Sequence, residues 1–149
     1  MNPLLVVDAA NVVGSVPDGW WRDRAGAATR LRDSLETVAT HGLTGETVPG
    51  WLHAGPIDVV LVVEGKARTV TGGEHVRVVA APGSGDDTIV EVTATDGAGR
   101  QVAVVTADRG LRERVTALGA TVLGPRTVRP AGGPRSGTGS SGPRTDPTP

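Results

Sequence analysis

Five short apolar runs, each rich in β-branched side chains, recur along the first 123 residues of the chain. They predict β-strands at 3–8, 57–64, 76–82, 101–105 and 121–123. The run IDVVLVVE at 57–64 is continuous rather than alternating, which is typical of a central parallel strand covered on both faces. The pattern therefore predicts a mainly parallel sheet.

Two segments between these runs carry apolar residues at helical spacing, and a glycine follows each of them (Gly42 and Gly119). The first helix follows the loop after residues 3–8, and its apolar face consists of Ala28, Leu31, Leu35 and Val38. The second follows residues 101–105, and its apolar face consists of Leu111, Val115 and Leu118. Strands that alternate with helices predict an α/β sandwich.

The segment DDTIVEVTATDGAG is compatible with either a helix or a strand. Its β-branched residues and the hairpin signal Asp96-Gly97 favour a strand that pairs with 101–105. Ser84 followed by Asp86 and Asp87 favours a helix N-terminus instead. The residues alone favour the helix only slightly, so both alternatives stay open at this point.

Composition narrows the class of protein. The chain has 149 residues, enough for one domain, and a core without Phe, Tyr or Cys must consist mainly of Val, Leu, Ala and Ile. The absence of Cys excludes disulfides, Cys-ligated zinc and a thiol nucleophile. No apolar stretch approaches the roughly 18–20 residues needed to span a membrane, and the first residues lack a basic leader. We expect a soluble, cytoplasmic protein.

The last part of the chain differs in composition from the rest. From Gly124 onward Gly, Pro, Ser, Thr and Arg dominate, so this segment has too little apolar area to offset the entropy of ordering. We predict a folded domain at 1–124 and a disordered tail at 125–149. The net charge of the whole chain is −1, which gives no overall basic field to attract nucleic acid.

Acidic residues follow several of the predicted strands. Asp8 ends the first strand, Asp86 and Asp87 follow the third, and Asp108 follows the fourth, while Glu64 ends the second and is a candidate fourth member of the group. Each could simply cap a helix, but the carboxyl ends of parallel strands meet at one edge, where ligands bind. Clustered carboxylates without His or Cys suit Mg²⁺ or Mn²⁺, which serve in phosphodiester hydrolysis.

Two neutral residues and the paired aspartates refine this candidate site. Adjacent residues of a helix point about 100° apart, so we do not expect Asp86 and Asp87 both to bind metal. Asn11 and Thr106 are suited either to orienting an aspartate or to contacting a phosphate. The three histidines show no spacing typical of metal ligands, so none is assigned to the site: His41, His53 and His75.

The segments VVDAANVVGS, GSGDDTIVEV and VAVVTADRGLRERV, in this order, resemble the NYN family of PIN-like metal-dependent ribonucleases, near its YacP-like branch. The resemblance covers most of 3–124 and implies a three-layer α/β/α fold with strand order 3-2-1-4-5 and a helix beginning at DDTIVEV. It implies that Asn11 lies in the site. The catalytic and metal-binding residues that it implies are Asp8, one or both of Asp86 and Asp87, and Asp108.

The leading hypothesis is a Mg²⁺- or Mn²⁺-dependent endoribonuclease that cleaves single-stranded RNA and, by analogy with the family, leaves a 5′-phosphate. Residues that we expect to contact RNA, besides Asn11 and Thr106, are Trp20, Trp21, Arg22 and Arg109. The tryptophans would stack on unpaired bases, although a tandem Trp also serves as a core residue. The arginines would contact phosphates, although each alone is also an ordinary surface charge.

Two other classes remain as alternatives. The lack of a basic domain favours a non-catalytic RNA- or partner-binding module with the same fold. A small-molecule phosphate-ester hydrolase is the other, and the absence of a D-x-D motif after the first strand weakens it. The sequence leaves open a protein partner or a homodimer.

Overall fold

A five-stranded parallel sheet forms the centre of the computed structural model, which describes residues 1–15, 19 and 22–129. The strands are β1 (Leu4–Asp8), β2 (Asp58–Val63), β3 (Val76–Ala80), β4 (Val102–Val105) and β5 (Thr121–Leu123). The helices are α1 (Ala9–Gly14), α2 (Arg24–His41), α3 (Gly85–Asp96) and α4 (Arg109–Thr116). Short 3₁₀-helices span Gly50–Leu52, Gly65–Thr69 and Pro125–Thr127.

The strand order is β3-β2-β1-β4-β5, and every neighbouring pair is parallel. In the register, Val6 of β1 lies between Val60 of β2 and Val104 of β4. The chain first builds the sheet on one side of β1 and then returns to the other side, so the strand order reverses between β1 and β4. This architecture confirms the α/β fold class and the order 3-2-1-4-5.

Alternate residues of each strand face opposite sides of the sheet and form two separate cores. Leu5 and Val7 of β1 pack on the side of α2, together with Leu31 and Leu35 of that helix. Leu4 and Val6 pack on the other side, where the buried residues of α3 and α4 join them. Because both faces are covered, the central strands are continuously apolar, as a three-layer sandwich requires.

The segment that the residues left open between helix and strand is the helix α3. Ser84 Oγ accepts a hydrogen bond from Asp86 N at 3.2 Å and so caps the helix N-terminus. Ile89 is fully buried against the sheet, and Gly97 ends the helix where a hairpin was an alternative. Burial of the apolar face therefore outweighs the strand propensity of the β-branched residues.

Two features differ from the sequence-based predictions. The segment after β1, predicted as a loop, begins with the short helix α1, whose first turn Asp8 caps. The folded part also continues past the predicted boundary at 124, because Val128 is 6% exposed and packs into the core on the α2 side. No helix among the described residues is long and apolar enough to cross a membrane.

Candidate active site

Four carboxylates lie at the carboxyl edge of the sheet, each carried by a different connection. Asp8 is the last residue of β1, Glu64 follows β2, Asp86 is the second residue of α3, and Asp108 directly precedes α4. Asp8 is only 6% exposed, Glu64 and Asp86 are half-buried, and Asp108 is exposed. Parallel strands thus bring to one edge acidic residues that are up to 100 positions apart in sequence.

Both carboxylate oxygens of Asp8 accept hydrogen bonds from within the protein. Oδ1 accepts from the backbone N–H of Asn11 at 3.3 Å, which caps α1. Oδ2 accepts from the hydroxyl of Thr106 at 3.0 Å, across the point where the strand order reverses. These two contacts fix the orientation of a side chain that the sheet and α1 bury.

Burial raises the pKa of Asp8 from 3.8 to about 6, because a charged carboxylate loses hydration in this position. The hydrogen bonds from Thr106 and Asn11 oppose this rise, whereas the negative charges of Asp86 and Glu64 add to it. Burial also raises the pKa of Asp86, with further contributions from the charges of Asp108 and Glu64. The four carboxylates therefore form one electrostatically coupled group, which a bound cation would stabilise.

Thr106 and Asn11 connect the end of β1 to the connection between β4 and α4. The Thr106 hydroxyl donates to Asp8 and accepts from Asp108 N at 3.1 Å. Asn11 Oδ1 accepts from Ala107 N at 2.8 Å. Thr106 is fully buried, so its predicted contact with a phosphate is wrong, and its role is to position Asp8 and Asp108.

Asp108 has a structural role of its own, since its Oδ1 accepts from Leu111 N at 2.9 Å and caps α4. Capping was the alternative interpretation of each aspartate, and for Asp8 and Asp108 it is correct. It does not exclude ligand binding, because an ionised carboxylate has about four acceptor sites on its two oxygens. Both residues are thereby held in place at the edge of the sheet.

The two adjacent aspartates of α3 point in different directions. Asp87 Oδ1 lies 3.1 Å from Arg114 Nη1, and the Asp87 side chain is 83% exposed. Asp86 instead lies among the other carboxylates, as the causes of its raised pKa show. Of the two adjacent aspartates, Asp86 is the more buried and Asp87 is the one paired with Arg114, which fits the expectation from helix geometry that the two differ in role.

Glu64 belongs to the group although its sequence position carried the weakest signal. Its Oε2 accepts a hydrogen bond from Gly85 N at 2.7 Å, which joins the end of β2 to the start of α3. A Cβ atom at position 85 would crowd this oxygen, so a larger residue there would make the Glu64 carboxylate shift. The signal in the sequence is the same as for Asp8, since both residues end a buried apolar run.

Of the four other residues predicted to contact RNA, the structure describes only the two arginines. Arg22 and Arg109 are exposed, and Arg109 is the first residue of α4, immediately after Asp108. Trp20 and Trp21 lie outside the described residues. The arginine at 109 thus lies beside the acidic edge, where a phosphate would need a positive partner.

The four carboxylates fit Mg²⁺ or Mn²⁺ in their chemistry, because hard divalent cations prefer oxygen ligands. Their positions do not yet form a complete binding site. Within the ranges described above, no three Asp, Glu or His side chains lie close enough together to hold a metal ion. Metal binding would therefore require these carboxylates to come closer together than they are in this arrangement.

Comparison with solved structures finds proteins of similar fold. The structure resembles the crystal structure of Rae1 (YacP) from Bacillus subtilis, with a TM-score of 0.62 and 18% sequence identity over 83% of this chain and 70% of that one. The W164L mutant of the same protein gives a TM-score of 0.58 and 17% identity over 86% and 72%. The fold is similar to that of YacP. No protein-family model and no curated protein sequence matches the chain.

Proposed function

We propose that this protein is a ribonuclease that hydrolyses phosphodiester bonds in single-stranded RNA, using Mg²⁺ or Mn²⁺. The observation that carries the proposal is the coupled group of Asp8, Glu64, Asp86 and Asp108 at the point where the strand order reverses. Open α/β sheets bind their ligands at this place. The fold adds support, because the solved structures that it resembles are of YacP, the branch of ribonucleases that the sequence motifs also resemble.

Asp8, Asp86 and Asp108 would hold the metal ion, with Glu64 as a further oxygen donor. A divalent ion bound there would lower the pKa of the attacking water and stabilise the departing oxygen of the phosphodiester. The raised pKa values of Asp8 and Asp86 support this assignment, since a group of like charges gains most from a cation. The metal, the RNA substrate and these roles are parts of the proposal.

The other residues of the site prepare it for the substrate. Thr106 and Asn11 hold Asp8 in one orientation, so this carboxylate needs no further ordering when the substrate binds. The Thr106 hydroxyl donates a hydrogen bond to Asp8 and accepts one from the backbone N–H of Asp108. These two bonds fix the position of Asp8 relative to the Asp108 backbone. Arg109, exposed beside Asp108, would contact a phosphate of the RNA.

The proposal is tested by incubating the purified full chain with a labelled single-stranded RNA. We expect cleavage with Mn²⁺ or Mg²⁺, no cleavage after EDTA is added, and restored cleavage when the metal is returned in excess. The products should carry 5′-phosphates, which a 5′-phosphate-dependent exonuclease detects. Cleavage that EDTA does not affect would contradict the metal-dependent mechanism.

One observation favours a second candidate, an RNA-binding module that does not cleave. The carboxylates of the described residues do not converge on a three-ligand site, although they share an edge of the sheet. Such a module would bind the same RNA in a gel-shift assay and leave it intact with every divalent metal tested. RNA cleavage at catalytic concentrations of protein would exclude this candidate.

A further inference from the structure

A cavity of about 250 Å³ lies beside the acidic edge, between α1, the start of α2 and the turn that follows β2. The described residues of its walls combine small apolar side chains with one cation and one carboxylate. Three of the wall residues are buried: Ala9, Ala28 and Ala67. The cavity mouth includes exposed or half-buried residues: Ala10, Arg24 and Glu64.

We infer that this cavity binds one nucleobase of the RNA, next to the phosphodiester bond that is cleaved. This inference rests on the proposed function and deepens it, because it assigns a separate site for the base. Cavities for drug-sized ligands measure roughly 300–1,000 Å³, so a space slightly smaller than this range suits a single flat heterocycle. The cavity is therefore large enough for one base, and the ribose and phosphate would lie at its open side.

The chemistry of the walls matches that of a base. The alanines offer apolar surfaces to the faces of the ring, where a larger side chain would fill the space. Arg24 carries only hydrogen-bond donors and Glu64 only acceptors, and the edges of a base present both kinds of group. Apolar walls with polar groups at the mouth favour a flat ring with a polar rim over a purely apolar ligand.

The position of the cavity connects it to the acidic edge. Ala9 and Ala10 directly follow Asp8 in the chain, and Glu64 belongs both to the cavity wall and to the coupled carboxylates. A base in the cavity would therefore bring its own phosphate to the side of Asp8. An unpaired base turns out of a strand without the cost of breaking a base pair, so such a site would favour single-stranded RNA.

Adenosine 5′-monophosphate and ribose 5-phosphate test this inference by calorimetric titration of the full chain in Mg²⁺. The two probes share a phosphate and a ribose, so their difference isolates the base. We expect ribose 5-phosphate to bind about tenfold more weakly, because it lacks the apolar ring surface that the base buries against the alanines. Equal affinities, or no detectable binding of the nucleotide, would overturn the inference.

A variant that fills the cavity gives the second half of the test. Ala10 is exposed on α1, and leucine is a good helix former, so Ala10→Leu should fold normally. We expect it to weaken nucleotide binding about tenfold and to leave ribose 5-phosphate binding unchanged. Ala94→Leu, at an exposed position of α3 that does not line this cavity, is the matched control and should bind both probes normally.

Nuclear magnetic resonance of the wild type tests whether the nucleotide occupies this cavity. In the wild type, the methyl signals of Ala28 and Ala67 should shift on addition of the nucleotide and not of ribose 5-phosphate. Unchanged nucleotide affinity in Ala10→Leu would overturn the inference even if RNA is cleaved. If RNA is not cleaved but nucleotide binding depends on Ala10, the nuclease proposal fails and the base site stands.

Discussion

Aspartates at the two ends of the sheet occupy opposite electrostatic environments. At the amino end, Asp58 Oδ2 lies 2.6 Å from Arg100 Nη1. The hydrogen bond from this arginine lowers the pKa of the Asp58 carboxyl. Nearby, Arg77 pairs with Asp96. At the carboxyl end, burial and neighbouring carboxylates raise the pKa of Asp8 to about 6.

The difference separates charges in structural ion pairs from the carboxylates that we propose to be functional. At the amino end each of these acids has an arginine partner, so the charge is compensated within the chain. At the carboxyl end, burial and the mutual repulsion of the carboxylates raise the pKa of Asp8 and Asp86, and a bound cation would relieve this repulsion. Titratable groups with raised pKa values in a ligand-binding edge are typical of functional sites.

The largest expected difference between the two ends of the sheet is in RNA cleavage, after one carboxylate is removed at each end. We expect Asp8→Asn to reduce RNA cleavage about 1,000-fold, since it removes the charge at the fixed centre of the site while keeping its shape. Asp58→Asn should cleave like the wild type and lose only the modest stability of an exposed ion pair. Initial rates on a labelled RNA measure both, and equal losses would contradict the assignment of the two ends.

A second pair of variants sharpens the comparison within the carboxyl end. Asp86→Asn should reduce cleavage about 100-fold, because Asp86 lies among the coupled carboxylates. Asp87→Asn should have little effect on the rate, because Asp87 is exposed and paired with Arg114. The same cleavage assay compares them, and a larger loss for Asp87→Asn would reverse the roles of the two aspartates.

Loss of the Thr106 hydroxyl, which links Asp8 to the Asp108 backbone, should reduce the rate of cleavage less than loss of a carboxylate. Thr106→Val keeps the shape and removes the hydroxyl, so we expect kcat to fall about tenfold through misorientation of Asp8. Thr93→Val is the control, since its buried hydroxyl bonds to Ile89 O within α3, away from the carboxylates. A positioning role also requires that the pH profile of cleavage shifts in Thr106→Val and not in the control.

The smallest expected effect is on the pH dependence of stability without metal. The pKa of Asp8 is about 6 in the folded chain against 3.8 for an unperturbed group, so the folded chain holds a proton that the unfolded one lacks. Its contribution is present at low pH and lost as pH rises through 6. From about pH 5 to about pH 7.5 the wild type should lose about 1 kcal/mol more than Asp8→Asn in urea unfolding.

The opposite sign would indicate that Asp8 is stabilised in its charged form. In that case the wild type would gain stability relative to Asp8→Asn over the same pH range. Such a result would remove the argument that the carboxyl end carries an uncompensated charge. Asp58→Asn, measured in parallel, should not reproduce the effect of Asp8→Asn, because the pKa of Asp58 shifts downward.

Sequence patterns predicted the strands and most of the helices because each depends on local periodicity. The sequence also predicted that Asp8 and Asp108 lie at strand ends, because each is a charged residue that follows an apolar run. The choice between Asp86 and Asp87 was not, because it depends on which way α3 faces and on Arg114 in another helix. The links of Glu64 to Gly85 and of Asp8 to Thr106 are tertiary contacts that no single segment encodes.

Titration of Mn²⁺ into the full chain, followed by calorimetry, tests the central claim most directly. That claim is that the carboxylates at the carboxyl end act together as a cation site, although no three of the described ones yet converge on one point. We expect Mn²⁺ to bind the wild type and Asp58→Asn with the same affinity and to bind Asp8→Asn far more weakly. No binding to the wild type, or equal binding to Asp8→Asn, would contradict the account.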